Sequence, residues 1–511
     1  MPHTINLSRR SFVKSASAAT VLTAAAVPMT SVAQQQEKAT DQLLQLSATE
    51  AVARMSRGEM TAEHYAQALL ARCDAMRSLN AFITLDAAHV LESARTCDQQ
   101  RKAGRKLGPL FGLPIPVKDS VNTAEYPTTA GTPALRNFRP KEDAPIVASL
   151  RAAGAIVLGK TNLHELSYGW TSNNHAFGAV HNPYDPTRIP GGSSGGTAAA
   201  IAAHMAPLGV AEDTEGSIRV PAAMCGISGF RPTTGRYSTK GCAPITPLFD
   251  QVGPHARTIA DIVLFDSVAA GDPQPLRPTA LQGLRLGVVR SYWFAGLDPE
   301  VERITEEALE RLRKAGAQIL ATELPGLTEL IDQTTAPIEN HDVRIALARY
   351  LQEYGAGVSF EDVVRQASPD IRAIFSSTVL PGAPHFVEEK IYTTARDVHL
   401  PALRRLYQDY FARTGVDAIV FPTTMAPAPL IGQDATVDIA GRPVPFYTVA
   451  GRNIAPGSTA GLPGLVFPAG LTGTGLPVGI EFDAPAGSDR ALLALGLSLE
   501  RVLGAVPAPR G

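Results

Sequence analysis

Apolar positions between Thr49 and Gly104 recur three and four residues apart in three stretches, with breaks at Gly58 and around Ser78 to Thr84. That spacing predicts a helical N-terminal part over about 47–104, with Thr61 placed to cap the second helix and Gly104 to end the third. Beyond Gly104 the character changes. Short apolar runs, at Ile115 to Val117, Ala155 to Leu158, Pro207 to Ala211, Leu284 to Val289, Ala418 to Phe421 and Gly464 to Pro468, alternate with helical stretches of ten or more residues. Alternation of this kind predicts an α/β fold. The 44 glycines and 40 prolines fall mainly between these runs as punctuation rather than in one linker. The pattern therefore predicts one large domain with a helical insert at about 270–415, not the three domains that length alone suggests.

Composition narrows the classes. Hydrophobic residues make up 45% of the 511-residue chain, enough to bury a large core and to exclude a disordered protein. With 46 basic against 48 acidic side chains and no run of like charge, no electrostatic footprint for nucleic acid or an anionic membrane is present. Four cysteines, Cys73, Cys97, Cys225 and Cys242, make neither a disulfide framework nor a zinc site.

The first 33 residues stand apart. Ser8-Arg9-Arg10-Ser11-Phe12-Val13-Lys14 precedes a weakly apolar stretch from Ala16 to Val27 and then Ser31-Val32-Ala33. This resembles a twin-arginine export signal ending in a small-x-small cleavage site, and implies a periplasmic or secreted protein. Roughly twelve apolar residues fall short of the ~20 that cross a bilayer, so a stable membrane anchor is not expected. Removing 1–33 takes away three basic residues and no acid, leaving 43 basic against 48 acidic groups. An oxidising compartment would permit a Cys73 to Cys97 bridge; two buried free thiols are the simpler expectation.

Two motifs invite misreading. Gly154-Ala-Ile-Val-Leu-Gly159-Lys160-Thr161 has the spacing of a phosphate-binding loop, but its Ala155 to Leu158 is itself the apolar strand that such a loop should follow. Gly191-Gly192-Ser193-Ser194-Gly195-Gly196 contains G-x-S-x-G, which would make Ser193 the nucleophile of an α/β-hydrolase with His385 or His399 as its base. A nucleophile elbow follows a strand, however, and the residues before this one include Pro183, Pro186 and Pro190.

The glycine-rich cluster does not stand alone. Gly112-Leu113-Pro114-Ile115-Pro116-Val117-Lys118-Asp119 lies upstream, and Ala211-Glu212-Asp213-Thr214-Glu215-Gly216-Ser217-Ile218-Arg219-Val220-Pro221 follows. With Lys160-Thr161-Asn162-Leu163-His164-Glu165 between them, these segments resemble the amidase signature family. Similarity is clear over a core of about 107–265 and resumes more weakly over strands and a helix at about 416–505. The resemblance implies a single domain, 34–511, with a mixed central β-sheet covered by helices on both faces. It also implies an amidase that cleaves a carboxamide C–N bond through a serine acyl-enzyme, without metal or organic cofactor.

Residue by residue, the resemblance makes Lys118 the base, Ser193 a relay in a cis peptide and Ser217 the nucleophile. A serine hydroxyl needs a base, and a lysine of ordinary pKa ~10.4 can serve only if burial suppresses its charge. Backbone N–H groups of Thr214, Glu215, Gly216 and Ser217 would stabilise the oxyanion. Ser194 would hydrogen-bond in the same network, and Asp213 with Arg219 would form an ion pair bracing the loop. Thr129, Gly131, Tyr168, Trp170 and Glu215 are the candidate pocket residues. The expected partner is a small-molecule or peptide amide; a homodimer is left open. The alternatives are the Ser193 esterase and a catalytically silent amidase-like binding protein.

One departure matters. Most members of that family have Gly-Gly-Ser at the nucleophile, where this chain has Glu215-Gly216-Ser217. A glutamate would be strained if the position required positive φ. Its carboxylate, if aimed into the pocket, would favour substrates carrying a cation or N–H donors.

Overall fold

The computed structural model describes residues 41–433 and 435–509, so the export-signal reading of 1–33 lies outside the described residues. From Leu43 onward the chain forms one compact unit around an eleven-stranded mixed sheet. In chain order the strands are β1 (Phe82–Leu85), β2 (Pro114–Lys118), β3 (Ile156–Thr161), the small hairpin β4 (Asn173–Asn174) and β5 (Gly178–Ala179), β6 (Leu208–Asp213), β7 (Ser228–Arg231) and β8 (Gln251–Ala256). There follow β9 (Arg285–Val288), β10 (Gln318–Ala321), β11 (Ala418–Pro422), a second hairpin of β12 (Thr436–Ile439) and β13 (Arg442–Pro445), β14 (Gly464–Leu471) and β15 (Pro477–Asp483). The main sheet runs β1-β3-β2-β6-β8-β7-β14-β15-β11-β9-β10.

Every residue of β2, β3, β6, β8, β11 and β15 is buried. Strands buried on both faces require helices on both faces, and their apolar runs are therefore continuous rather than alternating. All six runs singled out in the sequence lie in strands, β2, β3, β6, β9, β11 and β14. The N-terminal helices also follow their local signals. Ser47 and Glu50 form a capping box for Ala48–Arg57, Gly58 ends that helix at φ 74°, and Thr61 accepts from the His64 N–H to start Ala62–Ala75.

Two segments differ from expectation. The break around 78–84 leads into β1, which pairs antiparallel with β3; four residues, Phe82 to Leu85, are too short for periodicity to reveal. The 270–415 segment is mostly helical but also contributes β9 and β10, parallel strands that extend the sheet beyond β11. All four cysteines are free.

Register sets the site. β2 and β6 are adjacent and parallel, with Val117 opposite Val210, so their C-terminal ends bring Lys118 beside Glu212. The loop bearing Ser193 then enters the wholly buried helix Gly195–Ala202. Gly196 has no room for a side chain, since a Cβ there would stand 2.3 Å from the Asn162 carbonyl oxygen and 2.5 Å from that of Ala81. Backbone cannot yield as a flexible side chain can. Gly196→Ala is therefore expected to cost roughly 1–3 kcal/mol, read as a lowered denaturation midpoint, with a fall in kcat/KM as the Ser193 loop is displaced.

Candidate active site

Lys118 is fully buried at the end of β2. Its Nζ lies 2.6 Å from Ser193 Oγ and 2.7 Å from Glu212 Oε2. Burial lowers its pKa from the ordinary lysine value, and the Glu212 carboxylate opposes that fall. Glu212 is in turn 3.2 Å from the Thr214 hydroxyl, which also lies 2.6 Å from Asp250 Oδ1. Burial, reinforced by the Glu212 charge, raises Asp250 above the usual aspartate range.

Gly192–Ser193 is a cis peptide, and Ser193 is fully buried. Ser194 ties this loop to the next one: its Oγ donates to the Glu212 carbonyl at 3.0 Å, and its N–H donates to the Ser217 carbonyl at 3.3 Å.

The loop that presents Ser217 is built on Asp213, the last residue of β6. Arg219 Nε and Arg231 NH1 stand 3.1 and 3.0 Å from its two carboxylate oxygens, all three side chains being buried. Burial alone would raise the Asp213 carboxyl, but the two guanidiniums hold it well below the usual range. Glu481 completes the cluster at 2.6 Å from Arg219. The loop's backbone also donates inward, from Gly216 N–H at 2.7 Å and Ile218 N–H at 3.0 Å to Asp213.

That arrangement corrects one oxyanion assignment. The Gly216 N–H is committed to Asp213, whereas those of Thr214, Glu215 and Ser217 meet no protein acceptor among the described residues. It also removes the concern over Glu215. The positive φ, 97°, belongs to Gly216, where a Cβ would run into Ile454; Glu215 has no positive φ.

Ser217 opens on a cavity of about 1210 Å³ that Thr214, Glu215, Tyr168 and Trp170 also line. Trp170 Nε1 donates to the Glu215 carbonyl at 2.7 Å, holding its indole against the loop. Thr129 and Gly131 do not line this cavity. Thr129 turns inward, its N–H 3.0 Å from Asp119, and its Oγ1 accepts from the Gly131 N–H at 3.0 Å. Asp119 is needed there because it pairs at 3.2 Å with the buried Lys160 of the decoy phosphate motif. That motif is strand β3, with its lysine pointing into the interior. The esterase reading also fails: no histidine side chain hydrogen-bonds Ser193 or Ser217 among the described residues, His385 is exposed, and Ser193 Oγ accepts from Lys118 instead.

The Amidase family model matches residues 65–493. The chain belongs to that family. It is 40% identical over 458 residues to an indoleacetamide hydrolase from Agrobacterium vitis, covering 89% of this chain and 97% of the relative. A mandelamide hydrolase from Pseudomonas putida is 39% identical over 484 residues, covering 92% and 94%. Among solved structures, the peptide amidase of Stenotrophomonas maltophilia aligns with TM-score 0.74 and 29% identity over 91% of this chain and 98% of that one.

In this amidase several site residues escaped sequence reasoning. Glu212 stands inside a quoted motif, yet nothing in the spacing says that its side chain meets Lys118. Arg231, Glu481 and Glu339 come from distant segments and carry no local signal. Replacing Asp213 would leave two buried guanidiniums without their carboxylate. Asp213→Asn is expected to lose about 3–5 kcal/mol, measured by urea denaturation, while Ser194→Ala, which removes only the neutral hydrogen bonds between the Ser194 hydroxyl and the Glu212 backbone, loses about 1 kcal/mol.

Proposed function

We propose that this amidase hydrolyses its substrate through an acyl-enzyme on Ser217, with Lys118 as base and Ser193 as relay. The observation that carries the reading is the 2.6 Å contact from a fully buried Lys118 Nζ to Ser193 Oγ, in a loop bonded to the Ser217 backbone. Neutral Lys118 takes the Ser193 proton as Ser193 takes that of Ser217, and Ser217 Oγ attacks the carbonyl carbon. The free N–H groups of Thr214, Glu215 and Ser217 receive the oxyanion. The C–N bond breaks as the proton passes back through Ser193 to the leaving nitrogen. Water repeats the sequence and releases the carboxylate.

The substrate's acyl group is bulky and aromatic. Tyr168, Trp170, Tyr292, Phe446 and Tyr447 line the cavity, and the two relatives are named for amides of aromatic acids. Arg9-Arg10 and Ser31-Val32-Ala33 support export by the twin-arginine route. No helix among the described residues is long and apolar enough to cross a membrane.

A fluorophosphonate should label Ser217, and Ser217→Ala and Lys118→Ala should each lower kcat at least about 10³-fold, while His385→Ala and His399→Ala retain activity. Loss of activity in either histidine variant with Lys118→Ala active would overturn the assignment. The acid limb of kcat/KM against pH reports deprotonation of Lys118. Glu212 favours the protonated form, so Glu212→Gln lowers the lysine pKa and moves that limb to lower pH, by about one unit or more. A limb that stays in place would remove Glu212 from the proton balance.

A further inference from the structure

The cavity is unbalanced in charge close to the reacting serine. Glu215, Asp332, Glu339 and Asp370 line it, against Arg452 and His164. Neither of those bases pairs with Glu215, Asp332 or Glu339 among the described residues. Arg452 is spent on the carbonyls of Ala295 and Trp293, at 2.5 and 3.3 Å, and on Asn453 at 3.0 Å. His164 is held by Thr171 at 3.0 Å and by Asp370 at 3.6 Å.

Four interior carboxylates of this chain have a cation in contact: Asp213 has Arg219 and Arg231, Glu212 has Lys118, Asp119 has Lys160 and Asp266 has Arg236. Glu215 and Glu339 form no ion pair among the described residues. Burial raises both carboxyls above the usual glutamate range, and each is among the groups that act on the other. Glu339 Oε1 is buried and receives no N–H or O–H from the protein. The nearest cations, Arg219 and Arg231, are already engaged by Asp213 and, for Arg219, by Glu481. Part-buried carboxylates on a cavity wall, with no counter-ion in contact, favour a cation that enters the cavity.

Placement says what would bring it. Glu215 is two residues from Ser217, and its Oε1 faces the Trp170 ring across Gly451. Glu339 reaches the same wall from the helix Thr335–Glu353. A group entering beside Gly451 meets the Glu215 carboxyl and the Trp170 ring, with Glu339 on the same cavity wall, a setting that suits an ammonium by charge and by attraction to the aromatic ring. We propose that Glu215 and Glu339 together seat a protonated amine, so that the preferred amides carry an ammonium group in the acyl part. The proposal rests on the Ser217 acyl-enzyme reading and adds the substrate class to it.

The test uses two matched pairs of amides at pH 7: 4-(aminomethyl)phenylacetamide against 4-ethylphenylacetamide, and phenylalaninamide against 3-phenylpropanamide. In at least one pair the charged amide is expected to have kcat/KM about tenfold or more above its neutral partner. That ratio should fall at least about fivefold in both Glu339→Gln and Glu215→Gln. Hydrolysis of the neutral amides without preference for the charged ones in either pair overturns this proposal alone. So does a preference that survives both substitutions. Failure to hydrolyse any of the four, with no fluorophosphonate labelling of Ser217, overturns the underlying reading as well.

Discussion

The pairing of one buried carboxylate, Asp213, with two buried guanidiniums holds the catalytic end of this molecule together. Asp213 accepts from Arg219, Arg231, and the N–H groups of Gly216 and Ile218. A charge so far from water is tolerable only when its oxygens are fully engaged. That requirement dictates the curvature of the loop, because donors from both sides of Ser217 must converge on one side chain. The positive φ of Gly216 follows from the same curvature, and so does the freedom of the neighbouring N–H groups to face the cavity.

Asp213 also ends β6, and β6 places the residue before it against Lys118. Successive residues of a strand point to opposite faces. Glu212 therefore turns toward Lys118 while Asp213 turns toward the arginines. Two adjacent acids end in opposite states of engagement: one is locked as an anion by permanent cations, the other shares a network with Lys118, Thr214 and Asp250.

Much of the fold was legible where a local rule sufficed. Continuous apolar runs located six strands, and Thr61 and Gly58 marked helix ends as their chemistry requires. The remaining strands were opaque for equally local reasons. Gln251–Ala256 contains Gly253, Pro254 and His255, and Ser228–Arg231 has one large apolar residue, so neither carries a strand pattern. They are strands because neighbours on both sides supply hydrogen bonds and cover. In the site, Tyr168 and Trp170 reach the cavity but Thr129 and Gly131 do not, since the needs of the Asp119 and Lys160 pair turn the second loop inward.

By itself the sequence pointed to Lys118, Ser193 and Ser217, in that order, and to the helical and strand alternation that carries them. These depend on chemistry and backbone preferences that act within a few residues. Tertiary structure alone decided which groups are brought together: Glu212 with Lys118, Thr214 with Asp250, and Glu215 with Glu339 on one cavity wall. Such couplings depend on distance and exclusion of water. Glu339 lies on a helix more than a hundred residues from Glu215 in the chain, and spacing along a chain says nothing of a distance that only folding creates.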